Sequence, residues 1–101
     1  MDITHFRKEI DRLDRRLVRA LNQRARAAQQ IGRLKRSTDL PIYEPRRERV
    51  ILGNIRSHNR GPLSDLQLTR IYRRIIQAMR ELQREELVTE NRKARRRRRN
   101  R

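Results

Sequence analysis

The sequence predicts an all-α protein with three helices per subunit (a long first helix, a short second and a third of medium length) that forms a homodimer. Apolar residues recur at spacings of three and four in three separate segments, which is typical of amphipathic helices. The 101-residue chain is only 34% hydrophobic and contains three aromatic residues. Because one copy has so few large apolar groups, we expect a second copy to complete its core.

The first helix is predicted over about residues 3–35, with Asp2 as its N-cap. Its apolar residues keep a heptad spacing and are Ile3, Phe6, Ile10, Leu13, Leu17, Ala20, Ala27, Ile31 and Leu34. Arg24 interrupts this series, and a guanidinium is costly there unless an anion meets it. Lys35 lies within about 20° of the same face. The two cations predict an anion site, although a solvated basic face fits the same pattern.

The second helix is predicted over about residues 45–57, after a loop at 36–41. Pro45 suits its first turn, where the missing N–H costs nothing. Its apolar face consists of Ile51, Leu52 and Ile55. Glu48 falls on the same face, so a carboxylate is expected to point toward the core. Before the loop, Gly32 predicts a point of close packing against another helix.

The third helix has the clearest start, because Ser64 as N-cap and Gln67 three residues later form a capping-box pattern. Its apolar face consists of Leu68, Ile71, Tyr72, Ile75, Ile76, Met79 and Leu82. Gln83 lies on the same face. Polar residues therefore face inward from all three helices, namely Arg24, Lys35, Glu48 and Gln83. Two interpretations fit: a network of buried ion pairs, or a pocket for a small anion that carries a hydroxyl.

The composition argues against metal, redox and membrane functions. There is no cysteine, and the two histidines, His5 and His58, are isolated from each other and from any carboxylate cluster. No apolar run approaches ~20 residues, and the N-terminus lacks the pattern of a signal peptide. We therefore expect no metal, no membrane association and a cytoplasmic location.

The C-terminal residues 91–101 carry eight basic groups and no acid, nearly half of the net charge of +17. A block of like charge without an apolar pattern predicts a disordered tail outside a helical domain at 1–90. Two interpretations of the tail stay open, a solvated extension and a weak binding surface for nucleic acid or an acidic protein. A nucleic-acid-binding function for the whole chain is disfavoured, since three aromatic residues offer little base stacking.

Five segments resemble, in order, motifs of the AroQ class of chorismate mutases. Residues 7–14 resemble R-x-x-I-D-x-L-D, residues 21–24 match L-x-x-R, residues 31–35 match I/V-G-x-x-K, residues 41–48 resemble P-I/V-x-D/x-x-R-E, and residues 75–83 resemble the end of the third helix. The resemblance spans about residues 5–87. It implies an intertwined homodimer in which the long first helices of two subunits pack side by side.

The resemblance also implies which residues bind chorismate, a dicarboxylate with an ether oxygen and a ring hydroxyl. It assigns Arg7 and Arg24 to the carboxylates, Lys35 and Gln83 to the ether oxygen, Glu48 to the hydroxyl, and Glu44 and Arg47 to positioning of the loop. Two departures stand out. Ala78 and Met79 occupy the region where the family commonly has serine, so we expect the substrate site to lack one hydrogen bond near Met79. Glu44 replaces the more usual aspartate.

Arg7 raises a geometric problem, because it precedes Arg24 by 17 residues. That separation corresponds to about 25 Å along the helix and about 100° around it, too far for both to serve one site on one helix. The resemblance implies that Arg7 reaches the site from the partner subunit.

The implied activity is rearrangement of chorismate to prephenate in phenylalanine and tyrosine biosynthesis. The reaction is intramolecular and pericyclic, so it requires no nucleophile and no cofactor. An isochorismate pyruvate lyase with the same fold is the alternative enzyme, and the sequence separates the two poorly.

Overall fold

The computed structural model of the chain describes residues 2–99, except for the side chains at positions 90 and 91. It contains three helices, α1 (Ile3–Thr38), α2 (Pro45–His58) and α3 (Asp65–Arg99), and no strand within the described range. The all-α prediction with three helices is therefore confirmed.

Both predicted N-caps are present. The Asp2 carboxylate accepts a hydrogen bond of 3.0 Å from the backbone N–H of His5 at the start of α1. At the start of α3 the Ser64 hydroxyl accepts from the N–H of Gln67, and the Gln67 side chain accepts from the N–H of Ser64, each at 3.1 Å. These reciprocal bonds satisfy N–H groups that a helix start leaves without partners.

α1 extends three residues beyond the predicted end at Lys35. The hydroxyls of Ser37 and Thr38 donate to the carbonyl of Leu34, at 2.9 and 2.8 Å, and so stay within the helical turn. The helix stops at Asp39, whose φ of 55° lies in the left-handed region. Apolar periodicity did not indicate this last turn because its residues are largely exposed.

The tail was predicted to be disordered, but in the structure α3 continues through Arg99. Arginine, lysine and alanine are good helix formers, and the segment contains neither glycine nor proline. Extending an existing helix also avoids the unfavourable nucleation step. Residues 100–101 of the predicted tail lie outside the described residues, and the predicted domain boundary at residue 90 stays a prediction.

α1 and α3 pack side by side, and α2 packs against α3. α2 begins next to Lys35, whose ammonium lies near the backbone of Ile42 and the carboxylate of Glu44. The chain then runs away along α2 and returns along α3, which reaches Lys35 again at Gln83. α1 and α3 consequently run in the same direction, with α2 opposite to both. The buried apolar residues among those described are Ala28, Leu52, Ile76 and Met79.

The N-terminal half of α1 has almost no packing partner within one chain. Ile3, Ile10 and Leu17 are 63%, 54% and 59% exposed, and the buried residues of α1 all lie from Ala28 onward. The radius of gyration is 18.3 Å, whereas a compact chain of this length has about 13 Å. In a single subunit, a row of large apolar side chains on α1 therefore faces solvent. No helix in the described part of the chain has the length and apolar content needed to span a membrane.

Candidate active site

A cavity of about 340 Å³ lies where the three helices meet. This volume suits a small metabolite. Its lining includes Arg24, Ala27, Ala28, Ile31, Lys35, Ile42, Glu44, Arg47, Glu48, Ile51, Ile76, Met79, Arg80 and Gln83. The structure therefore brings together seven of the eight residues that the sequence placed in the site.

Lys35 is the most deeply buried charged group described, with 6% of its surface exposed. Its ammonium donates to the carbonyl of Ile42 at 3.2 Å and to Oε1 of Gln83 at 3.0 Å, and it lies 3.5 Å from Oε1 of Glu44. Three fixed partners restrict a side chain that is normally flexible. The lysine is thus held in place before any ligand enters.

Gln83 is also buried, and its orientation follows from its contact with Lys35. An ammonium group can only donate hydrogen bonds, so the amide oxygen must face it and the amide N–H₂ must point elsewhere. Gly32 of α1 allows α3 to approach closely at this position, because a Cβ at residue 32 would lie 3.0 Å from Cα of Gln83. The predicted close-packing point is thereby confirmed.

Glu48 faces the cavity from α2, as predicted, and forms an ion pair with Arg80. Nε of Arg80 lies 3.3 Å from Oε2 of Glu48, and its guanidinium carbon lies 5.1 Å from the centre of the Tyr43 ring. Glu48 therefore pairs with a residue of α3 and not with Arg24. Arg80 thereby connects α2, α3 and the loop between α1 and α2.

Arg80 and Tyr43 were not predicted from the sequence. Arg80 lies outside the apolar stripe of α3, so it reads as one of many solvated arginines in a chain that contains 29 basic residues. The available signal was its position three residues before Gln83, which places the two side chains on adjacent turns. Tyr43 is largely exposed, and nothing in its sequence context distinguishes it.

Arg24 and Arg47 supply further positive charge to the cavity from α1 and α2. Arg24 is half-buried, and its guanidinium makes no hydrogen bond or ion pair with the residues that the structure describes. Met79, which is 7% exposed, contributes an apolar wall where a serine would offer a hydroxyl. The unpaired Arg24 guanidinium leaves the cavity able to accept an anion.

Arg7 is the predicted site residue that does not line this cavity. It lies on the exposed N-terminal half of α1, 17 residues before Arg24. A contribution of Arg7 to the site therefore requires a second subunit.

The cavity contains four cations, Arg24, Lys35, Arg47 and Arg80, against the carboxylates Glu44 and Glu48. The excess of two positive charges matches a small dianion. Cysteine, histidine and serine do not occur in the lining, and the described residues hold no His, Cys, Asp or Glu group that could ligate a metal. The cavity can therefore bind, orient and stabilise charge, but it offers no nucleophile of these types.

Comparison with known proteins decides the family. Residues 6–84 match the family Chorismate mutase type II. The chain belongs to this family. It is 42% identical over 81 residues to the bifunctional chorismate mutase/prephenate dehydratase of Aquifex aeolicus and 37% identical over 76 residues to that of Pseudomonas aeruginosa. These alignments include 76% and 70% of this chain but only 22% and 21% of the relatives, so the chain spans about a fifth of their length.

Solved structures of chorismate mutases share the three-helix architecture. Form II of the Thermus thermophilus enzyme superposes with a TM-score of 0.80 at 36% identity, covering 81% of this chain and 93% of that one. The Helicobacter pylori enzyme in complex with prephenate superposes with a TM-score of 0.77 at 32% identity, covering 84% and 92%. Membership of the family and the all-helical fold therefore rest on sequence and structure together.

Proposed function

We propose that this chain is a chorismate mutase, which converts chorismate to prephenate in aromatic amino-acid biosynthesis. The observation that carries the proposal is the buried, hydrogen-bonded pair of Lys35 and Gln83 in a cation-rich cavity. The Helicobacter pylori enzyme, which is similar to this chain over most of its length, binds prephenate. Neither a cofactor nor a metal is required, and the cytoplasmic location expected from the sequence belongs to the same proposal.

In the rearrangement one ether C–O bond breaks while a C–C bond forms within the same molecule, and no proton is transferred. Negative charge grows on the ether oxygen as its bond lengthens. A protein can accelerate such a step by holding the folded, chair-like conformer and by placing hydrogen-bond donors at this oxygen. Donors that are fixed beforehand do not have to reorganise during the reaction, which is why a rigid site is effective.

Lys35 and Gln83 are suited to serve as these donors. The contact between Lys35 and Oε1 of Gln83 leaves the amide N–H₂ free to donate, so both residues can reach one acceptor from adjacent positions. Arg24 can form a bidentate pair with a substrate carboxylate. The carboxylate of Glu48, held by Arg80, can accept from the ring hydroxyl, while Glu44 and Arg47 are assigned to positioning of the loop and Met79 to the apolar wall.

A homodimer belongs to the proposal, with Arg7 of one subunit binding the second carboxylate at the site of its partner. Three observations support it: the exposed apolar row on α1, the extended shape of one subunit and the distance of Arg7 from its own cavity. Packing two α1 helices against each other would bury these apolar residues.

Isochorismate pyruvate lyase remains the alternative, because its substrate is also a dicarboxylate with an ether oxygen. The test is to incubate the purified protein separately with chorismate and isochorismate and to identify the products. Prephenate from chorismate is the expected result. Release of salicylate and pyruvate from isochorismate, without prephenate from chorismate, would assign the chain to the lyase instead.

We predict that Gln83→Glu makes turnover fall as pH rises. Only a protonated carboxyl could donate to the ether oxygen, and the ionised form, favoured by Lys35 at its side, would repel the growing charge. kcat/KM measured between pH 5 and pH 8 provides the test, with Gln77→Glu on the exposed side of α3 as the control. A Gln83→Glu variant as active at pH 8 as at pH 5 would remove Gln83 from the proposed role.

We also predict that Gly32→Ala lowers kcat/KM by about tenfold. The new Cβ would lie 3.0 Å from Cα and 3.3 Å from the carbonyl oxygen of Gln83, so the α3 backbone must shift by a few tenths of an ångström. Gly53→Ala in α2 is the matched control, because its Cβ would meet nothing within 4 Å. That change should leave turnover unaltered and stabilise the helix by ~0.5–1 kcal/mol. Equal activity of the two variants would show that spacing at Gly32 does not position Gln83.

A further inference from the structure

The last turns of α3 carry a dense positive charge that the proposed mutase activity does not use. We define the basic extension as residues 92–99, in which seven of eight residues are Arg or Lys and all eight are exposed. The ion pair between Arg33 of α1 and Glu86 of α3 shows which residues of the two helices lie side by side. From this pair α1 continues for five residues and α3 for thirteen, so α3 projects about 12 Å past the end of α1.

The charge of the basic extension is distributed around the whole helix. Like charges fall at spacings of three and four, for example Arg92 with Arg95 and Arg96, and again Arg95 with Arg99. Such pairs repel one another and destabilise a free helix. A polyanion that runs alongside would offset this repulsion by its attraction for the same cations.

The charge spacing of the basic extension corresponds to that of a nucleic acid duplex. Eight helical residues extend over about 12 Å, which with seven cations gives one positive charge per ~1.7 Å. Double-stranded DNA carries one negative charge per ~1.7 Å of its axis. The diameter of a helix, ~10–12 Å, also suits the DNA major groove, which is ~12 Å wide.

Other polyanionic partners fit this segment less well. A membrane-surface helix requires an apolar face, whereas Ala94 is the single apolar residue of the basic extension. The major groove of double-stranded RNA is deep and narrow, so a helix does not fit into it as it fits into the major groove of DNA. Single-stranded nucleic acids are bound largely through base stacking on aromatic residues, and the basic extension has none.

We propose that the basic extension binds double-stranded DNA through phosphate contacts, without preference for base sequence. This function is separate from the cavity, because none of the residues 92–99 lines it. Binding should leave chorismate turnover unaffected, and loss of the basic extension should likewise leave turnover within about threefold of the full chain.

The experiment measures fluorescence anisotropy of a labelled 20-base-pair duplex between 50 and 200 mM salt. The full chain should lose about 10³-fold in affinity across this range, as expected for about six phosphate contacts. In the variant R95Q/R96Q/R98Q/R99Q four charges are removed, while glutamine has a helix propensity similar to that of arginine. This variant should bind at least ~30-fold more weakly at 100 mM salt, with a shallower salt dependence.

The control variant R49Q/R56Q/R70Q/R73Q has the same net charge, and its four exposed arginines lie on α2 and the first half of α3. It should bind DNA within about threefold of the full chain. Equal weakening of both variants would overturn the proposal, because attraction would then follow net charge alone. Tighter binding of poly-glutamate than of DNA at equal charge, or equal binding of duplex RNA, would overturn it as well.

Discussion

Replacing Lys35 with alanine is expected to lower kcat/KM for chorismate by about 10²–10³-fold. Lys35 is a buried, fixed cation at the proposed position of the ether oxygen, and the loss of one such donor has this magnitude in other enzymes. The substitution also leaves Oε1 of Gln83 without the donor that orients its amide. Steady-state kinetics of the purified variant, together with its thermal unfolding, would measure the effect.

Lys93→Ala is the matched control, because this lysine is exposed and lies on the basic extension. It should retain full turnover. If the Lys35→Ala variant were folded and lost less than threefold in kcat/KM, Lys35 would have no role in stabilising the transition state.

Mixing two inactive variants, Arg7→Ala and Lys35→Ala, is expected to restore activity to about a quarter of all sites. Unfolding and refolding the two together gives hybrids in about half of the dimers by random pairing. If Arg7 serves the site of the partner subunit, each hybrid holds one site with both residues intact and one that lacks both. Turnover of the refolded mixture should therefore approach a quarter of that of the wild type.

The pair Arg24→Ala and Lys35→Ala is the control for this experiment, because both residues line one cavity of one chain. Every hybrid site would then lack one of the two, and mixing should restore nothing. Persistent inactivity of the Arg7 and Lys35 mixture, despite demonstrated exchange of subunits, would contradict the shared site. A folded and active monomer would contradict the dimer.

Some site residues were indicated by a violation of a periodic pattern, whereas Arg7, Glu44, Arg47 and Met79 were indicated only by the family resemblance. Arg24, Glu48 and Gln83 are polar at positions where an amphipathic helix requires apolar groups, and each lines the cavity. Gly32 is also an exception within a helix, and a glycine next to apolar neighbours indicates that another helix packs closely there. Local chemistry also defined the start of α3, because the pattern of Ser64 and Gln67 specifies its own hydrogen bonds.

The ion pair that joins α2 and α3 was not accessible from the sequence. The role of Arg80 arises only when α2 and α3 place it against Glu48, and nothing in its own neighbourhood indicates that partner. The helical basic extension is a different case, because like charge favours disorder while residue propensity favours helix. The composition alone does not decide between two opposing tendencies of similar size.

The most direct test of the proposed function is the initial rate at which chorismate absorbance is lost with purified protein, with prephenate quantified in parallel. We expect a saturable rate proportional to protein concentration, one prephenate formed per chorismate lost, and a kcat within the usual range of ~1–10³ s⁻¹. A folded protein that leaves the uncatalysed rate of chorismate loss unchanged would contradict the proposed function.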